Sequence, residues 1–418
     1  MSLGIKNGRV FHKGRLRDVE LLIRRGKISE VAKSVDADRT IDAEGRTVLP
    51  GAIDAHVHFR DPGATHKEDW KSGSKSAAAG GVTTVVDQPN TSPPTVNGRG
   101  FDQKRELAEE KSIVDFGING GVTRDWVPEE LLSRPLTAFG EVFMADSTGE
   151  MGIPMDFFQG AVERIQRHDE LVTVHAEDSS EFAGVKGESV DDWSLHRPPQ
   201  AEVSAVKEAV RTAKKPLHFA HISHPNSLDT ISGTEHTCEV TPHHLLLSRD
   251  DLDELGTFGK MNPPLRAEES RRKIWGMIDR IDIIASDHAP HTIEEKNTGI
   301  MDAPSGVPGV ETMLPLLLAQ VVKDSLSLKQ VVGMASRKPA DIFGLASKGT
   351  IEVGKDADIV ITDMDTEKIK ANKLHSKAGW TPFEGHEGVF PDVVLCRGEA
   401  VYDGRLSESG HGRLVSVS

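Results

Sequence analysis

The chain has 418 residues, 28% of them charged, and a formal net charge of -15. That length admits a large barrel plus a smaller domain, or two to three ordinary domains, and the acidic balance argues against nucleic-acid binding. No apolar run is long enough for a membrane span, and Met1-Ser2-Leu3-Gly4 is not followed by a signal core, so a cytoplasmic protein is expected.

From Gly4 to about Val48 the chain reads as short strands turning on glycine, as in Val19–Ile23 followed by Arg24-Arg25-Gly26-Lys27. The stretches 349–361 and 392–402 have the same texture. Neither end is large enough for its own core. Residues 1–50 and 347–418 are therefore expected to pack together as one small β-sandwich.

A Val/Ile-rich run, Thr47 to Ile53, leads into Asp54-Ala55-His56-Val57-His58-Phe59-Arg60-Asp61-Pro62-Gly63. On a strand, His56 and His58 point to the same face. Two neutral imidazoles on one face can hold one transition metal, typically zinc. Arg60 follows on the same parity, where a planar cation could meet a substrate carboxylate two-pronged. Pro62-Gly63 then ends the strand in a turn.

Between residues 51 and 346 the pattern becomes strand, loop, helix, repeated. Eight apolar strand candidates follow one another: Ala52–Val57, Val82–Asp87, Val114–Asn119, Ala138–Met144, Leu171–His175, Leu217–His221, Thr237–Thr241 and Ile281–Ser286. The clearest helical stretches between them are Lys104–Lys111, Phe157–His168, Ala201–Ala213 and Ser270–Arg280. This predicts an α/β fold, a (β/α)8 TIM-type barrel whose chemistry sits at the carboxyl ends of its strands. Cys238, in the seventh run, reads as a small core residue. With Cys396 it makes neither a disulfide framework nor a zinc-finger spacing.

His175 closes the fifth strand, His221 the sixth and Asp287 the eighth. With His56 and His58, these groups suffice for two metals if one more anion bridges them. Glu141, inside the apolar run Ala138–Met144, offers that bridge. A charge there is costly unless it is paired or bound to metal. The competing reading, a solvent-facing residue on an edge strand, suits a barrel poorly because a barrel has no edge. Asp146, at the end of the same strand, is the rival bridge.

The motifs His56-Val57-His58-Phe59-Arg60-Asp61-Pro62-Gly63, Gln88-Pro89-Asn90-Thr91, Val240-Thr241-Pro242-His243-His244-Leu245, Asn262-Pro263-Pro264-Leu265-Arg266 and Ser286-Asp287-His288-Ala289-Pro290-His291 together resemble those of the dihydroorotases of the amidohydrolase superfamily. The resemblance extends to Lys355-Asp356-Ala357-Asp358 and Gly379–Gly385, nearly the whole chain. It implies reversible cyclisation of N-carbamoyl-L-aspartate to (S)-dihydroorotate plus water, in de novo pyrimidine biosynthesis. The attacking group would be a metal-bound hydroxide, with Asp287 as general acid and base. By the same resemblance His56, His58 and Asp287 would hold a first zinc ion, and His175 and His221 a second. Many relatives bridge the two with a carbamylated lysine; Glu141 takes the matching place here. The substrate would meet His58, Arg60, Asn90, Asn262, His291 and the backbone of Ser305 and Gly306, while His243 and His244 would position loops. The implied partner is a small anion, and relatives often form homo-oligomers. Another cyclic amidohydrolase, an allantoinase or hydantoinase, is the alternative, and Arg60 is the discriminator. A non-catalytic scaffold should have lost metal ligands, and this chain keeps them.

Overall fold

Runs that are apolar on both faces form strands covered on both sides. Eight such runs become the parallel strands β1 (Ala52–Val57), β2 (Val82–Asp87), β3 (Asp115–Ile118), β4 (Phe139–Phe143), β5 (Val172–His175), β6 (His218–Phe219), β7 (Thr237–Val240) and β8 (Ile283–Ile284). This computed structural model describes residues 1–145, 151–184, 189–408 and 410–417. The strands pair as two ladders, β1 to β3 and β4 to β8. Single parallel bridges, Gly120 with Phe139 and Val57 with His288, close the two seams. Across them the Gly120 N–H donates to Ala138 O at 2.9 Å, and the His58 N–H to His288 O at 2.8 Å. The result is a closed eight-stranded barrel without an open edge.

β6 and β8 are shorter than the apolar runs that encode them. The backbone turns left-handed at His221 (φ 33°) and at Asp287 (φ 46°), which takes it out of the extended region. Arg60, just beyond β1, does the same at φ 60°. Each such residue costs on the order of 1–3 kcal/mol, and such strain gathers where side chains must be aimed.

The four expected helices are present as Gly98–Lys111, Met155–Gln166, Pro199–Thr212 and Glu268–Gly276. In the second, Phe158, Ala161, Val162 and Ile165 are buried, the i, i+3, i+4, i+7 stripe that faces a core. The first begins where the Asn97 side chain accepts from the Gly100 N–H. Among the described residues no helix is long and apolar enough to cross a membrane.

Strands from both chain ends make two further sheets. One has four strands, in the order Lys27–Ala32, Glu20–Arg24, Ser2–Lys6, Arg39–Asp42. The other has six, in the order Glu399–Tyr402, Val393–Cys396, Ile359–Thr362, Thr47–Pro50, Arg9–His12, Arg15–Asp18. Ile359–Thr362 runs antiparallel to both of its neighbours, one from each end of the chain. Ile5, Leu21, Ile23 and Ile28 of the first sheet share one core with Val10, Val48, Ile359, Ile361 and Leu395 of the second. This is the β-sandwich expected from the two matching textures. Gly51 joins it to β1. A Cβ there would lie 2.1 Å from Thr83 Oγ1, so only glycine fits this crossing.

A buried ion cluster ties sandwich to barrel. Lys348 Nζ lies 2.5 Å from Asp115 Oδ2, at the start of β3, and 2.7 Å from Asp358 Oδ2, beside the inserted strand. Arg397 pairs with the other oxygen of Asp115. Lys348→Met should leave two buried carboxylates short of a partner and lower stability by about 3–5 kcal/mol. Urea denaturation measures this; a loss below about 1 kcal/mol would mean that the cluster is solvated.

Candidate active site

The carboxyl ends of the strands bring distant residues to one place. β1 carries His56, with His58 just beyond it, and their ring centroids are 5.2 Å apart. His175, at the end of β5, and His221, past β6, are 4.6 Å apart. Glu141, from the middle of β4, lies between the two pairs. Its Oε2 is 3.2 Å from His56 Nε2 and 4.0 Å from His58 Nε2. Its Oε1 is 2.9 Å from His175 Nδ1 and 2.6 Å from His221 Nε2. Asp287 Oδ1 stands 3.1 Å from His58 Nε2 and 3.6 Å from His56 Nε2. All six residues are buried. Asp146, the rival to Glu141, lies outside the described residues.

Local structure aims Glu141 inward. Gly140 has φ 139°, and a Cβ on it would fall 2.1 Å from Thr173 Oγ1 of β5. The β4–β5 register shifts at this point, between Phe139 and Val142. The Glu141 N–H is taken up by Gln88 Oε1 at 2.8 Å.

The outward ring nitrogens decide what the inward ones offer. His56 Nδ1 meets Glu239 Oε1 at 2.5 Å, His58 Nδ1 meets Asn90 Oδ1 at 2.7 Å, and His175 Nε2 meets Glu177 Oε2 at 2.8 Å. An acceptor on the outside holds the ring hydrogen there and turns a lone pair inward, the usual support of a metal-binding imidazole. His221 Nδ1 has no hydrogen-bond partner among the described residues. Glu239 also meets His218 Nε2 at 3.3 Å and accepts from the His221 N–H at 3.2 Å, and Arg197 Nη2 grips Glu177 at 2.6 Å.

The electrostatics call for positive charge inside this ring of donors. Burial alone would lower His175, yet Glu141 and Glu177 lift it to about 9. Burial likewise opposes the charged form of His56, and Glu239 and Glu141 raise it well above the ordinary imidazole range. Burial would raise Glu141, but His56 and His221, with hydrogen bonds from His175 and His221, hold it well below the usual carboxylate range. A cation on the inner nitrogens meets this demand, whether proton or metal. His56, His58 and Glu141 form one group whose ligand atoms all lie within 4.8 Å of one another, and Glu141, His175 and His221 form a second. One carboxylate is common to both, so the donor set fits one divalent ion or a bridged pair.

A narrow cleft opens beside these groups, lined by His58, Arg60, Asn90, Asn262, Ser305 and Gly306 along with Glu141 and Asp287. A larger groove, lined by Phe11, Ile281, Lys329 and Met334 among others, gathers no such set of donors. Arg60 is 5% exposed, and its Nε has no hydrogen-bond partner among the described residues. Burial pulls its guanidinium down to about 10; Asp287, Asp87, Glu295 and Glu68 act on it only through space. His291 stands behind the cleft, its Nε2 at 3.0 Å from Ser305 O and 3.3 Å from Arg60 Nη2. His244 spans Thr241 Oγ1 (2.9 Å) and Pro263 O (3.1 Å), which braces the turn carrying Asn262.

Glu239, Glu177 and Arg197 are absent from the sequence reading. Glu239 carries the same signal as Glu141, a carboxylate inside an apolar strand, and was open to the same inference. Glu177 and Arg197 sit in loops and carry no such mark.

The amidohydrolase family model matches residues 47–401. A dihydroorotase from Halobacterium salinarum is 52% identical over 415 residues, 97% of this chain and 98% of that protein. A dihydroorotase from Methanosarcina acetivorans is 47% identical, over 100% of this chain and 96% of its own length. Among solved structures, the L-hydantoinase (dihydropyrimidinase) of Arthrobacter aurescens superposes with a TM-score of 0.94 at 30% identity, over 99% of each chain. A closed barrel with histidines and acids at its strand ends, a sandwich from both chain ends and relatives matched over full length agree: the chain belongs to the amidohydrolase family, in its dihydroorotase group.

Proposed function

We propose that this chain is a dihydroorotase, closing N-carbamoyl-L-aspartate to (S)-dihydroorotate with release of water and running the reverse. The observation that carries this reading is Arg60. A buried guanidinium without a carboxylate partner among the described residues is costly, and a substrate carboxylate relieves that cost through two parallel hydrogen bonds. A hydantoin ring brings no such group. The 52% identity to a dihydroorotase supports the same choice over the hydantoinase likeness at 30%.

We assign two zinc ions to the donor set: His56, His58 and Asp287 would hold one and His175 and His221 the other, with Glu141 as a donor common to both groups. Bound there, zinc supplies acidified water and draws charge from the carbonyl under attack. Arg60 and Asn90 hold the ring carboxylate, while Asn262 and the backbone of Ser305 and Gly306 meet the ring's amide edges. In hydrolysis Asp287 takes the proton of the attacking water on a carboxylate oxygen. It delivers that proton to the ring nitrogen as the C–N bond breaks. In synthesis it removes the proton from the ureido nitrogen. Glu141 is an anion without prior reaction, so loading with zinc should need no bicarbonate. The buried free thiols of Cys238 and Cys396 suit a reducing compartment, and we place the chain in the cytoplasm.

The test is turnover of dihydroorotate, hydantoin and allantoin by protein of measured zinc content. Dihydroorotate should lead in kcat/KM by about a hundredfold or more; a lead for either uncharged ring would overturn the assignment. Glu239→Gln should weaken zinc binding about 10–100-fold, read by competition with a chromogenic chelator. Unchanged affinity would reduce Glu239 to a packing residue.

A further inference from the structure

The carboxylate end of the cleft contains a contact that this chemistry does not use. Lys67 Nζ lies 3.1 Å from His291 Nδ1 and 3.1 Å from Glu295 Oε1. On the far side of the same ring stand the Ser305 carbonyl and Arg60 Nη2. The ring is 0% exposed. Burial first, then the charges of Arg60 and Lys67, hold it well below the ordinary imidazole range, so it is neutral.

A neutral imidazole has one N–H and one lone pair. Lys67 and Arg60 only donate, and the Ser305 carbonyl only accepts. With the lone pair at Nδ1 and the hydrogen at Nε2, the ring accepts from Lys67 and donates to Ser305. Arg60 then receives nothing from it. The other tautomer sets an Nε2 lone pair against the Ser305 carbonyl and lets it accept from Arg60. It also turns Nδ1–H onto Lys67, because the Glu295 Oε2 atom, at 3.8 Å, is too far to accept.

We propose that Lys67 is a positioning residue that sets substrate specificity: it locks His291 in the Nε2–H tautomer, which fastens the Ser305–Gly306 loop and leaves the Arg60 donors for the substrate carboxylate. The substrate half of this statement rests on the dihydroorotase reading; the tautomer half does not.

The experiment labels histidine with 15N in the zinc-loaded enzyme and identifies His291 by the signal lost in His291→Asn. The wild type should show a pyridine-type Nδ1 and a pyrrole-type Nε2. In Lys67→Met that pattern should reverse or mix, with KM for dihydroorotate up about tenfold and kcat within about twofold. Lys67→Arg should restore both readouts, and Glu295→Gln should keep the wild-type tautomer. A hydrogen on Nδ1 in the wild type, or a wild-type pattern in Lys67→Met, overturns the proposal. Should Lys67→Met not fold, Lys67→Ala is read in the same way. A wild type that shows the Nε2–H tautomer but does not turn over dihydroorotate sinks the functional reading and leaves the lock standing.

Discussion

Asp287→Asn should lower kcat on dihydroorotate by about a thousandfold or more, because a positioned proton carrier contributes on the order of 10²–10⁴. Asparagine keeps the shape of the side chain and a polar contact to His58 Nε2, now 3.1 Å from Asp287 Oδ1. It cannot take up the proton of water and return it to the leaving nitrogen. The left-handed turn after β8 is what aims this carboxylate at His58. Rates measured at saturating zinc, beside metal content and thermal midpoint, separate loss of proton transfer from loss of metal. A folded, metal-loaded variant within tenfold of wild type would remove Asp287 from the chemistry.

Arg60→Met should divide substrates by charge. Truncating one side of a desolvated charge pair costs about 2–5 kcal/mol, so kcat/KM for dihydroorotate should fall by roughly 30- to 5,000-fold. Any residual rate on hydantoin should change by less than about threefold, since that ring offers the guanidinium no anion. The same substitution should raise the thermal midpoint of the substrate-free protein, because a buried cation without a carboxylate partner among the described residues is replaced by a thioether of similar length. Equal losses on both substrates would place Arg60 outside the substrate contact, and a lower midpoint would show that it serves the fold.

The barrel was legible because its strands are covered on both faces and so read as apolar runs. All eight runs form strands, although β6 and β8 keep only two residues each. Just beyond their carboxyl ends the backbone turns left-handed at His221 and at Asp287; histidine and aspartate tolerate that region better than most residues, but the turn is too uncommon even in them to be read from an apolar run. The histidines stood out because they end apolar runs, and Glu141 because it interrupts one. Their convergence within a few ångströms depends on the barrel closing, which no local pattern states. The supports were harder to see. Glu177 with Arg197, and Lys67 with His291, join residues from different loops, and nothing in either loop names its partner. Trp380 is a sharper case. It lies in the C-terminal region, yet its indole N–H donates to His291 O at 2.8 Å, so that region braces a residue behind the cleft.

The insertion of Ile359–Thr362 between Thr47–Pro50 and Val393–Cys396 sets a timetable for biosynthesis. The first of these strands leaves the ribosome about 300 residues before its neighbour, a delay of roughly 15–60 s at ordinary elongation speeds. Through that interval its sticky flank stays uncovered, and the nascent polypeptide depends on holding factors or on speed to avoid pairing with other copies. Activity should therefore appear only once Ile359–Thr362 and Val393–Cys396 have emerged to seal the earliest strands in place.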